Sequence, residues 1–132
     1  MAEQISKFRF QKFNILYSSI EIKDENTTDK KLDIELNQEG KVYENNLYES
    51  ILDVYVFNET KSLEIKAKLK GVFEFDNDLE EKAKKNFFNV NAPAILFPYL
   101  RAYITSLTAL SGISPIILPT INLAARGKKQ DI

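Results

Sequence analysis

The chain has 132 residues, 44% of them apolar and 28% charged, with a formal net charge of -1. That length allows a core of useful size, and the near-zero charge excludes a bulk electrostatic pull toward nucleic acid or acidic lipid. Cysteine and histidine are both absent, which excludes thiol nucleophiles, disulfides, Cys/His metal sites and the usual base of a Ser-His-Asp arrangement.

The opening "MAEQISKFRFQKFN" alternates polar with apolar residues and holds no continuous apolar run. It does not read as a signal peptide. A cytoplasmic protein is expected, and Asn26-Thr27-Thr28 and Asn58-Glu59-Thr60 are then coincidental rather than glycosylated. Residues 1 to 75 read as sheet. Phe8 to Ile22 is the first candidate strand. Leu32, Ile34 and Leu36 alternate with Asp33 and Glu35 in the second. The third, "YESILDVYVF" (Tyr48 to Phe57), is rich in β-branched and aromatic residues. In the fourth, Leu63, Ile65, Ala67, Leu69, Phe73 and Phe75 share one parity, and Glu64, Lys66, Lys68, Lys70 and Glu74 share the other. That period of two gives one dry face and one wet face. Gly71 interrupts the dry row and suggests a bulge. The turns are placed at "KDENTTDK", "NQEGK" and "NETK". Four consecutive strands with short connections suggest an antiparallel meander.

The last third reads as helix. "DNDLEEKAKKNFF" suits a short helix capped by Asp76 or Asn77; its Lys82, Lys84 and Lys85 interleave with Glu80 and Glu81 as on a solvated face. A longer helix is expected from about Pro93 to Ser111, with Gly112 at the stop position. Leu96, Leu100, Tyr103, Ile104, Leu107 and Leu110 fall on one face, and Ala102, Ser106 and Ala109 form a second face of small residues. Small side chains let another helix approach closely. The stretch from Asn91 to Ile121 is long and apolar enough to raise a membrane span. Arg101 inside it, the polar load of Thr105, Ser106 and Thr108, and the breaks at Pro115 and Pro119 argue against one. After the helix, "GISPIILPTI", held open by Pro115 and Pro119, holds Ile113, Ile116, Ile117 and Leu118, too many apolar residues for one regular element to hide. Exposed patches of this kind mark binding surfaces.

Other motifs carry no chemistry. "ARGKKQD" lacks the Gly-rich loop of a phosphate cradle. "SGISP" lacks the flanking glycines of a nucleophile elbow. The carboxylates lie in turns and on wet strand faces, not paired in an apolar cleft. The lysine row of the fourth strand carries no aromatic residue with which to stack RNA bases. No enzyme, metal or cofactor is expected.

"ILFPYLRAYITSLTALSGISPIILPTINLAA" resembles the signature region of the SecB export-chaperone family. The match runs through Ile95, Leu96, Phe97, Pro98, Tyr99, Arg101, Ile104, Thr105, Ser106 and Leu107, then Gly112, Pro115, Leu118, Pro119, Ile121 and Asn122. "LEIKAKLKGVFEF" resembles a family strand ending in Gly-hydrophobic-Phe. The resemblance implies an α+β domain over residues 1–132, with strands at about 5–75 and a helical region at about 77–126. It implies a four-stranded antiparallel sheet followed by a long helix, assembled as a homotetramer, a dimer of dimers. Ile65, Ala67 and Leu69 fall at family contact positions, and Ala102, Ser106 and Ala109 suit the same role. The implied activity is holding unfolded polypeptides without ATP. The groove would be lined by Phe97, Ile113, Ile116, Ile117 and Leu118, together with Tyr43.

Three departures from the family pattern stand out. The chain ends in the basic "LAARGKKQDI", where typical members carry a second long helix and an often acidic tail. Its "KDENTTDK" loop has neither the aromatic nor the proline of the typical crossover loop. Members that hand clients to the SecA motor dock through an acidic sheet surface, and the approximately aligned positions here are Ser19, Lys23 and Lys66. Steering follows charge complementarity, so SecA docking is weakened. Three readings result: a general export holdase, a dedicated chaperone of one partner such as an antitoxin, and an adaptor subunit without holdase activity.

Overall fold

A computed structural model describes residues 7–25 and 31–120 and the backbone of 129–131. Four long strands are present: β1 (Phe8–Ile22), β2 (Leu32–Tyr43), β3 (Leu47–Asn58) and β4 (Leu63–Phe75). Helix α1 (Glu81–Asn86) runs through a π-helical turn (Phe87–Asn91) into α2 (Ala92–Leu110), and a short β5 (Lys129–Asp131) follows. The sheet order is β1-β4-β3-β2-β5, with every pairing antiparallel. Strands β2, β3 and β4 are consecutive neighbours, but β1 lies beside β4 rather than β2. The expected meander is therefore a Greek key. Phe73 of β4 draws β1 there: Phe8 stacks on it at 4.8 Å and Phe10 lies 5.2 Å away.

Three local expectations are corrected. Strand β2 does not end at "NQEGK" but runs to Tyr43, and the chain turns at Glu44–Asn46. Asn45 and Asn46 adopt positive φ there, a conformation that asparagine tolerates well. Gly40 sits inside the strand because a Cβ on it would run into the Tyr48 ring. Asp76 and Asn77 do not cap the first helix. Asp76 accepts the Leu79 amide in a turn, and Glu80 stands at the cap position without a side-chain cap bond. Gly71 is not a bulge; it pairs in register with Phe13 and Ser50. The bulges lie on β1, at Gln11 and Leu16.

Gly71 has a packing role instead. A Cβ there would stand 2.3 Å from Leu96 Cδ2, so the missing side chain is what lets α2 settle onto β4. Leu96, Leu100 and Ile104 are fully buried in the same core as Ile65, Ala67, Leu69 and Phe73. Helix α2 thus covers the dry row of β4 within its own chain.

The π-turn follows from Pro93. Ala92 donates its amide to the Phe87 carbonyl, and proline has no N–H for the carbonyl that comes next. The β2–β3 hairpin adds side-chain donors to this turn. Tyr48 Oη donates to the Phe88 carbonyl at 3.2 Å, and Gln38 Nε2 donates to that of Asn89 at 3.1 Å. Tyr48 also stacks on Phe88 at 4.0 Å.

Gly71→Ala should lower unfolding stability by about 1–3 kcal/mol through overpacking. Combined with Leu96→Ala the loss should be less than additive, because the clash is relieved. Chemical denaturation of the two single mutants and the double mutant checks this.

Candidate functional site

Helix α2 ends at Leu110, and the chain turns off it at Gly112, whose φ of 87° is open to glycine at little cost. Residues 113–119 then run extended alongside α2. Two threonines of the helix hold them. Thr105 Oγ1 donates to the Ile116 carbonyl at 2.7 Å, and the Ile116 amide donates to Thr108 Oγ1 at 2.9 Å. The Thr108 hydroxyl is itself fully buried and donates to the Ile104 carbonyl at 2.9 Å. Both polar groups of the Ile116 backbone are thereby satisfied away from any sheet. Fixing one residue of an extended segment sets the direction of its neighbours, since side chains alternate. Ile116 and Leu118 point into the core, while Ile117 is 67% exposed.

This alternation divides the residues expected to line a groove. Phe97, Ile116 and Leu118 are core side chains, in one cluster with Ile34, Leu36 and Leu52. Ile113 packs half-buried against that cluster. Ile117 and Tyr43 are exposed, but the two stand on separate elements, the extended segment and the end of β2. Val42, which sequence reading missed, is also exposed, on the face of β2 opposite to Tyr43. The missed signal was strand length, because a turn at Asn37 to Lys41 left Val42 outside any strand.

The residues expected at subunit contacts divide in the same way. Ile65, Ala67 and Leu69 are at 0% exposure inside the protomer, so that row is occupied by α2 and offers no surface. Ala102, Ser106 and Ala109 do lie outward. They share the outer side of α2 with exposed Ile95, Tyr99 and Leu110. Strand β1 extends this apolar surface through Phe13, which is exposed and lies 4.6 Å from the Tyr99 ring, whereas exposed Tyr17 pairs with Lys68 and so lies on the opposite face. Ser18 and Tyr103 hydroxyls, 2.6 Å apart, fix strand to helix. Sequence parity could not assign Phe13, Leu16 and Tyr17, since the two bulges of β1 shift which residues face outward.

The other face of the sheet is polar and unevenly charged. Lys66, Lys68 and Lys70 form a basic row on β4, and Ser19 of β1 stands opposite Lys66. Asp33, Glu35 and Glu39 share the corresponding face of β2, where Glu35 pairs with Tyr55 and Glu39 with Ile51 of β3. Tyr55 Oη donates to Glu64 at 2.6 Å, and Lys23 lies 3.4 Å from the same carboxylate. The bond from Tyr55 holds Glu64 below the usual carboxylate range, helped by Lys23. In return the carboxylate pushes the Tyr55 hydroxyl up to about 12. No described helix is long and apolar enough to cross a membrane.

The family model described as preprotein translocase subunit SecB matches residues 8–130. An uncharacterized protein of Methanocaldococcus jannaschii, MJ0357, is 46% identical over 54 residues, covering 41% of this chain and 34% of that one. The protein-export protein SecB of Anaplasma phagocytophilum is 35% identical over 89 residues, covering 64% and 56%. The matches thus span about a third and a little over half of these relatives' lengths. Among solved structures, the Mycobacterium tuberculosis Rv1957 SecB-like chaperone, in complex with a ChAD peptide from the Rv1956 HigA1 antitoxin, superposes with a TM-score of 0.74. It covers 87% of this chain and 91% of that one at 13% identity. The likeness is one of fold: an antiparallel sheet of four long strands followed by a long helix.

Thr108→Val removes the acceptor for the Ile116 amide and should cost about 1–3 kcal/mol, the range for a stranded buried donor. Hydrogen exchange should report the Ile116 amide losing protection before the strands do.

Proposed function

Because the chain belongs to the SecB family, we propose that it is an ATP-independent holdase that keeps unfolded polypeptides from aggregating, in the setting of protein export. The observation that carries this reading is the exposure of large apolar side chains on two distinct surfaces. Burial of apolar area on contact drives capture of an unfolded chain without a nucleotide cycle. We assign client contact to Ile113 and Ile117 and, on the end of β2, to Tyr43. Phe97, Ile116 and Leu118 act from beneath, holding the extended segment so that Ile117 stays outward.

The second surface is assigned to self-association. Ala102, Ser106 and Ala109 give α2 a flat outer side, flanked by Ile95, Tyr99 and Phe13 of β1. A homotetramer built as a dimer of dimers would use it, and the cytoplasm is the compartment where such an assembly would meet export clients.

A dedicated chaperone for one partner, such as an antitoxin, is the second reading. It is favoured by the basic row Lys66, Lys68 and Lys70, which is poorly suited to a motor that docks on acidic surface. Identifying the proteins captured by the tagged chain in its own host separates the readings. Many unfolded precursors support the export role, and a single stoichiometric partner supports the dedicated one.

Ile117→Asp should weaken suppression of aggregation of a chemically unfolded client by about tenfold while leaving the assembly mass unchanged. Light scattering and a turbidity assay check the two halves. If the substitution leaves turbidity suppression at the wild-type level, Ile117 is not a client contact.

Ser106→Arg should lower the solution mass by placing an unpaired charge in a packed contact, with the circular dichroism spectrum preserved. A wild-type mass in the variant would remove α2 from the interface.

A further inference from the structure

The charges on the polar face of the sheet are not evenly neutralised. On β4, Lys66, Lys68 and Lys70 follow one another at alternate positions, and β1 sets Ser19, Tyr17 and Asn14 directly opposite them. Lys12 of β1, opposite Val72, carries the row one step further. Neither residues 12–19 nor residues 66–70 contain a carboxylate. The boundary of this basic strip lies at β3, where Glu49 reaches Lys70 at 3.6 Å and Asp53 stands opposite Lys68. Among the described residues Lys12, Lys66 and Lys68 form no ion pair. Lys12, Lys66 and Tyr17 are open to solvent. Like charges held this close repel one another, and an anion laid along them relieves that repulsion.

We propose that this strip is a docking site for an acidic segment of a partner protein, laid extended along β1 and β4. Alternate side chains of an extended chain recur at about 7 Å. The lysines keep that repeat, so a glutamate or aspartate at every second position of the segment meets Lys66, Lys68, Lys70 and Lys12 in turn. The carboxylates of β3 keep the ligand narrow, a single chain rather than a broad anionic surface. A single-stranded nucleic acid carries the same sign of charge but needs free rings for its bases. Tyr17 offers one, 55% exposed. Tyr55 does not: its hydroxyl donates to Glu64, Phe57 stacks on it at 4.5 Å, and the Lys66 ammonium lies 5.3 Å from its centroid. The strip therefore favours a peptide. The sheet separates it from Ile113 and Ile117, and β3 separates it from Tyr43, so the site stands apart from the client contacts and does not rest on the holdase reading.

The test uses the full chain and a short fluorescein-labelled peptide alternating glutamate with serine, which has no apolar residue for a client surface to hold. Fluorescence anisotropy at low ionic strength should show it bound, with affinity falling as salt is added. Lys66→Glu with Lys68→Glu should cost about tenfold or more in affinity. Lys82→Glu with Lys85→Glu, the same change of charge on α1, should bind as the unaltered chain does. In the unaltered chain the bound peptide should also protect Lys66 and Lys68 from reductive methylation, read by mass spectrometry, which locates the site without any substitution. No binding of the peptide, equal binding by the two double variants, or no protection of Lys66 and Lys68 overturns the proposal. So does tighter binding of an oligouridylate of equal charge, which would make the strip a nucleic-acid surface. A turbidity assay on a chemically unfolded client runs beside these. The Lys66→Glu, Lys68→Glu variant should suppress aggregation at the wild-type level. Lost suppression with the circular dichroism spectrum preserved would make the strip a client surface instead, and also overturns the proposal.

Discussion

The contact between Gly71 and Leu96 sets the terms for the rest of the molecule. A side chain on the strand would hold α2 away from the sheet, and the helix could not close over Ile65, Ala67 and Leu69. With the gap closed, one side of α2 belongs to the core and the opposite side is left outward. The flat outer row of Ala102, Ser106 and Ala109 is therefore a by-product of how the inner side seats. The same seating directs Thr105 and Thr108 toward the extended segment, and so decides which isoleucines are hidden and which are shown.

Strand β4 was legible because its period of two holds on both sides of Gly71, from Leu63 to Phe75, and α2 because its apolar spacing and its Gly112 stop are both plain. The family signature was legible in the same region. What could not be read depends on contacts distant in sequence. Gly40 looks like a turn residue until Tyr48 is seen lying across it. Gly71 looks like a bulge until Leu96 is seen above it. The bulges of β1 sit at Gln11 and Leu16, residues with no local signal for a break.

The candidate site was harder still. "SPIILP" shows an apolar run but not its phase, and the phase is set by two hydroxyls on a neighbouring helix. Sequence reading grouped Ile116 with Ile117, yet consecutive residues of an extended chain face opposite ways. It also read the dry row of β4 as a surface between subunits, when a helix of the same chain fills that place. Amphipathic pattern shows that a row is covered; it does not show by which chain.

The bonds that tie the π-helical turn to the sheet have a consequence for the order in which the molecule assembles. Tyr48 and Gln38 donate to the Phe88 and Asn89 carbonyls from the β2–β3 hairpin, so the turn lacks these two bonds until that hairpin exists. A helix ordinarily forms from local bonds alone and early. Here the joint between α1 and α2 must wait for strands some forty to fifty positions earlier in the chain, which the separations of 40 and 51 residues make explicit. The hairpin tip and the helical joint then form, and open, as one cooperative unit.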